Sequence, residues 1–71
     1  PFPKFIYIFV VNNISSTNLI NGIQELKKYI RKESDTKIIC CLYYYIKEDE
    51  EMMRIQNELS DIQFFHCYFL F

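Results

Sequence analysis

Glycine occurs once in this chain, at Gly22, and that scarcity removes whole classes of function. Neither the G-x-G-x-x-G turn of dinucleotide sites nor a phosphate-cradling P-loop can be written with a single glycine. Histidine is also single. His66 lies among aromatic residues of a predicted strand, where a structural role with a hydrogen bond is expected rather than that of a general base. The three cysteines, Cys40, Cys41 and Cys67, are odd in number and lack a C-x-x-C spacing. That argues against a disulfide framework and against thioredoxin-type exchange. Adjacent strand residues project to opposite faces, so Cys40/Cys41 and His66/Cys67 bring at most two ligands together, where structural zinc takes four. The thiols are expected to be buried and inert. No catalytic, cofactor-binding or metal-binding residue is expected, and no cofactor. No apolar run reaches the ~20 residues of a membrane helix, and no charged-then-apolar leader precedes the first strand. An intracellular, cytoplasmic protein with reduced thiols and no membrane partner is the expectation.

Apolar side chains are what the chain has in abundance: 51% of its 71 residues are hydrophobic and 18% aromatic. That is too apolar for a disordered segment. It is long enough for a single domain, residues 1–71, but a domain of this size buries only about 60% of the surface its unfolded chain exposes. Such a core rarely yields more than about 3–5 kcal/mol. More apolar surface is present than so small a monomer covers, which points to association. The net charge of −1 provides no general attraction for nucleic acid or anionic membrane. Ile, Asn, Lys, Phe and Tyr are abundant and alanine and tryptophan are absent. These residues have AT-rich codons, and the bias points to an AT-rich genome such as that of a virus, a mobile element, a parasite or a low-GC bacterium.

The pattern predicts strand, helix, strand, helix, strand. Phe5–Val11 is a continuous β-branched and aromatic run, the signature of a strand buried on both faces. Asn12, Asn13, Ser15 and Ser16 supply turn and N-cap chemistry. From Thr17 to about Lys32, Leu19, Ile23, Leu26 and Ile30 recur at helical spacing, with Ile20 widening the stripe. Gly22 inside this helix costs about 1 kcal/mol relative to alanine, and close packing against a neighbour would account for it. Lys37–Ile46 has no Gly, Pro, Asn or Asp to split it and reads as one strand. The run Glu48, Asp49, Glu50, Glu51 suits a helix N-terminus and reads as a solvated cap rather than a cation site. Met52, Ile55, Leu59 and Ile62 share one helix face. Gln63–Phe71 (QFFHCYFLF) is the last strand.

Helical connections between successive strands imply parallel pairing. The fold class is therefore α/β, a small three-stranded βαβαβ domain with a mostly parallel sheet and two helices. Strand order stays open. Order 2-1-3 places one helix on each face; order 1-2-3 places both on one face and leaves the other bare. In the latter, Phe5, Tyr7, Tyr43, Tyr45 and alternate residues of the last strand form an aromatic face. Covering it in a homodimer makes Tyr43, Tyr45, Phe65, Phe69 and Phe71 the expected interface.

Lys27, Lys28, Arg31 and Lys32 cluster on adjacent turns at the end of the first helix. They complement its dipole and are the candidate site for a protein partner. They are also the candidate phosphate contacts for a nucleic acid, although the strand aromatics alternate with no exposed Arg or Lys. Pro1 followed by a strand and a helix resembles the tautomerases, whose catalytic base is an amino-terminal proline. That resemblance covers Pro1, the first strand and the first helix. It ends after the second strand, where this chain enters another helix and has no glycine-rich end. It implies a small enzyme as a third reading. A non-enzymatic protein-interaction module that self-associates, of the kind used as an inhibitor or adaptor by a virus or other mobile element, is the first; a small nucleic-acid-binding protein using the basic helix end is the second.

Overall fold

β-Branched and aromatic residues favour extended backbone, and β1 forms at Lys4–Val10, one residue earlier at each end than the predicted run Phe5–Val11. The computed structural model describes residues 3–30 and 35–67. Ser15 caps the first helix, its Oγ accepting from the Asn18 amide at 3.1 Å, which satisfies one of the otherwise unpaired first-turn donors. Helix α1 then runs from Ser16 to Lys27. It stops short of the predicted end. The amides of Lys28, Tyr29 and Ile30 turn back to the carbonyls three residues earlier, Glu25, Leu26 and Lys27, a tightening typical of a helix terminus.

Strand β2 covers Thr36–Tyr43, starting one residue before and ending three residues before the predicted run Lys37–Ile46. Tyr44 ends it by adopting a left-handed conformation, φ 57°. Helix α2 spans Asp49–Glu58, with Asp49, Glu50 and Glu51 in its first turn, where carboxylates oppose the positive end of the helix dipole. Strand β3 covers Gln63–Cys67. The chain is thus the expected small α/β domain, β-α-β-α-β.

The sheet order is β1-β2-β3, with both neighbouring pairs parallel. Lys4 stands opposite Thr36, Val10 opposite Leu42, Cys40 opposite Phe64 and Tyr43 opposite Cys67. In this order both helices pack on one side. The core consists of Val10, Ile38, Cys40 and Leu42 from the sheet against Leu19, Ile20, Ile23, Ile55, Leu59 and Ile62, with Ile6, Ile8 and Phe64 half-buried at its margin. Gly22 does not mark close packing as predicted: no atom lies within 4 Å of where its Cβ would be. It instead helps open an apolar groove of about 200 Å³ between α1 and β1, lined chiefly by Ile8, Val10, Ile14, Leu19, Ile23 and Leu26. No β2 residue lines the groove, so it opens at the free side of β1. Among the described residues no helix is long and apolar enough to cross a membrane.

Candidate interaction surface

Strand side chains alternate between the two faces of a sheet, and here both faces are mostly apolar. The even-numbered residues of β1, β2 and β3 face the helices. The odd-numbered ones, Phe5, Tyr7 and Phe9 on β1, Lys37, Ile39, Cys41 and Tyr43 on β2, Gln63, Phe65 and Cys67 on β3, share a face that no other element of the described residues covers, with Lys37 and Gln63 as its polar members. Phe5, Tyr7, Phe9 and Phe65 are 51%, 56%, 60% and 44% exposed, while Ile39, Cys41, Tyr43 and Cys67 are half-buried between their neighbours. The rings of Phe5 and Tyr7 lie 6.5 Å apart and those of Phe9 and Tyr43 6.1 Å apart, both tilted. The aromatic groups on this face therefore lie in two ring pairs on neighbouring positions, with Phe65 on β3 on the same face.

Of the predicted interface residues, Tyr43 and Phe65 are on this face. Phe69 and Phe71 lie outside the described residues. Tyr45 is not on it. Period-2 alternation would put Tyr45 beside Tyr43, but the left-handed turn at Tyr44 swings the chain towards the helices and buries Tyr45 to 4% exposure in the core. Its hydroxyl makes no hydrogen bond among the described residues. The neighbouring Ser16 hydroxyl donates instead to Glu51 Oε1 at 3.1 Å. Burial raises the Tyr45 pKa above its ordinary value, with Ser16 acting in the opposite sense. Lys47 Nζ sits 5.0 Å from the Tyr45 ring centroid, within cation–π range. Phe9, Ile39 and Cys41, also on this face, were not among the expected interface residues, although strict alternation from Phe5 reaches Phe9 and from Tyr43 reaches Cys41 and Ile39 once the strand order is known.

The thiols divide between the two faces. Cys40 is fully buried on the helix side, and burial, with Cys41 beside it, pushes its pKa up to about 12. Cys41 and Cys67 are only half-buried, so the expectation of three buried thiols holds for Cys40 alone. The Cys41 pKa is raised by burial and by neighbouring Cys67, and that of Tyr43 by hydrogen bonding with Cys67 and by burial. His66 is exposed on β3. Among the described residues no three His, Cys, Asp or Glu side chains are grouped to hold a metal ion.

The basic cluster is half visible, since Arg31 and Lys32 lie outside the described residues. Lys27 Nζ is 2.6 Å from Asp61 Oδ2, and Lys28 Nζ is 2.8 Å from Glu25 Oε1. Both cations are thus paired with carboxylates of the chain itself. In the acidic helix start, the Glu51 side chain serves a structural contact. Glu51 accepts from Ser16 across the α1–α2 contact, and Arg54 Nη2 donates to Thr17 Oγ1 at 2.8 Å. Pro1, on which the likeness to tautomerases rests, lies outside the described residues. Comparison with known proteins finds no matching family model, no matching curated protein and no matching solved structure.

Proposed function

We propose that this chain is a small protein-interaction module that self-associates through the open side of its sheet. The observation that carries this reading is the uncovered face of a fully parallel sheet, lined by Phe5, Tyr7, Phe9, Tyr43 and Phe65. Parallel sheets are ordinarily covered on both faces. A half-exposed aromatic side chain leaves on the order of 100 Å² in water, so this patch reaches the upper range found on monomers and typical of interaction sites. A second copy stacked on it supplies an equally apolar surface and enlarges a core that is small for a chain of this length. The role is binding rather than catalysis. An adaptor or inhibitor of a virus or other mobile element, docking on a further protein partner, fits the size and composition.

Sedimentation over a range of micromolar concentrations tests the proposal. The parent is expected to self-associate, and Tyr43→Lys combined with Phe65→Lys to assemble to a lower order at every concentration. Equal assembly of parent and variant would overturn the face contact.

A nucleic acid stacked on the same aromatic row is the second reading, favoured by the ring spacing along β1. Charge weighs against it. Lys37, the cation beside Phe5 in the register, lies 3.5 Å from Asp35, and Lys27 and Lys28 are also paired. Phosphate binding draws its affinity from released counterions. Single-stranded oligonucleotide binding that weakens steeply with salt would reverse this order of readings.

A further inference from the structure

Edge strands of natural sheets usually carry a device against pairing, such as a charge, a proline, a bulge or short length. β1 is an edge strand of seven residues whose sole charge is Lys4 at its first position, and it contains no proline. Its hydrogen-bonding phase is fixed by the Lys4 amide, which donates to the Asp35 carbonyl at 3.0 Å while Lys4 stands opposite Thr36. In a parallel ladder a residue turns both its N–H and its C=O to one neighbour, and the next residue turns both away. Lys4, Ile6, Ile8 and Val10 therefore bond to β2. Phe5, Tyr7 and Phe9 direct their backbone groups out of the sheet edge.

Those outward residues belong to a palindrome. Phe5-Ile6-Tyr7-Ile8-Phe9 reads the same in both directions about Tyr7. Laid antiparallel against itself across a two-fold axis at Tyr7, the strand sets Tyr7 opposite Tyr7, Phe5 opposite Phe9 and Ile6 opposite Ile8. Phe5, Tyr7 and Phe9 then occupy the positions where opposed residues exchange both hydrogen bonds. Aromatic side chains meet aromatic ones on the open face, and aliphatic meet aliphatic on the helix side. Lys4 falls opposite Val10, so no like charges are opposed. The groove of about 200 Å³ between β1 and α1 lies beside this edge, where the second copy's Ile6 and Ile8 would enter its mouth. The groove and Ile14, 37% exposed beside it, add apolar surface to the backbone pairing along this edge.

We infer that β1 pairs edge to edge and antiparallel with β1 of a second copy, joining two three-stranded sheets into one. The inference rests on the self-association reading; it uses the outward backbone groups of Phe5, Tyr7 and Phe9, whereas the face contact uses the open-face side of their rings. The two contacts do not compete, and together they close four copies into two stacked sheets. The test is backbone amide exchange on the full chain at a concentration where sedimentation shows association. The amides of Phe5, Tyr7 and Phe9 are expected to exchange at least tenfold more slowly than in the diluted protein. Tyr43→Lys with Phe65→Lys should leave that protection in place. Tyr7→Pro should abolish it and lower the assembly order, because an outward-facing amide can be replaced by proline without breaking the β1–β2 ladder. The exchange measurement on the parent decides the matter even if Tyr7→Pro does not fold. An associated protein whose Phe5, Tyr7 and Phe9 amides exchange as freely as when diluted overturns the edge contact and leaves the face contact standing. A monomer at every concentration overturns both.

Discussion

A tyrosine held at φ 57° costs about 1–2 kcal/mol relative to the right-handed region. Tyr44 accepts that cost because the turn it makes delivers Tyr45 into the core and brings the Ile46 amide to Asn13 Oδ1 at 3.1 Å. The buried ring of Tyr45 contributes apolar area, while its hydroxyl, between Ser16 and Glu51, finds no hydrogen bond among the described residues. A buried hydroxyl without a partner costs about 1–3 kcal/mol. Tyr45→Phe keeps the ring and removes the hydroxyl, so it is expected to stabilise the fold by on the order of 1 kcal/mol, measured as an increased urea midpoint at unchanged slope. A loss of stability instead would mean that the hydroxyl is bonded in solution. The left-handed residue is also why Tyr45 could not be placed from sequence: nothing in KIICCLYYYI signals a reversal, since tyrosine is not a residue that favours this region.

At the scale of elements, the boundaries that were legible are those with local chemistry. Ser15 caps α1 and the acidic run opens α2 close to where capping and dipole arguments place them. The end of α1 was not legible, because Ile30 continues the helical stripe although the backbone has already tightened at Lys28. A tertiary contact holds this end. Lys27 reaches Asp61 in the turn after α2, and hydrogen bonding to Lys27 holds the Asp61 carboxyl below its ordinary value of 3.8. A carboxyl whose pKa is lowered by folding stabilises the native state above its unfolded pKa, and that contribution is lost as pH falls through the lowered value. Asp61 is exposed, so the effect is small, within about 1 kcal/mol for a surface pair. Asp61→Asn should therefore reduce stability slightly at pH 7 and leave it unchanged in acid once the parent carboxyl is protonated. Parallel pH series of thermal melts would show this as two curves that converge towards low pH; curves separated by a constant gap would assign the loss to packing instead.

For the whole molecule, the sequence conveyed the α/β class and the parallel strands but left the strand order open. Both faces of every strand are apolar, so no pattern of hydrophobicity could say which one the helices cover. The same ambiguity underlies the proposed interaction surface, because Phe5, Tyr7 and Phe9 carry large apolar groups like Ile6, Ile8 and Val10 yet remain in water in a single copy. Covering them adds to a small core. Leu59 shows how little reserve that core has on its own. It is fully buried at the end of α2, and Leu→Ala at such a site costs about 2–5 kcal/mol. The entire stability expected of a chain this size is about 3–5 kcal/mol. Leu59→Ala should consequently be largely unfolded when dilute. Association of native copies pulls the equilibrium back by mass action, and Leu59 lies on the side of the sheet away from the proposed face contact, so the mutation leaves that contact intact. Circular dichroism of Leu59→Ala is expected to show folded signal returning as concentration rises from low to high micromolar, together with a rising melting temperature. A folded fraction that stays constant over that range would show that native copies gain nothing from one another.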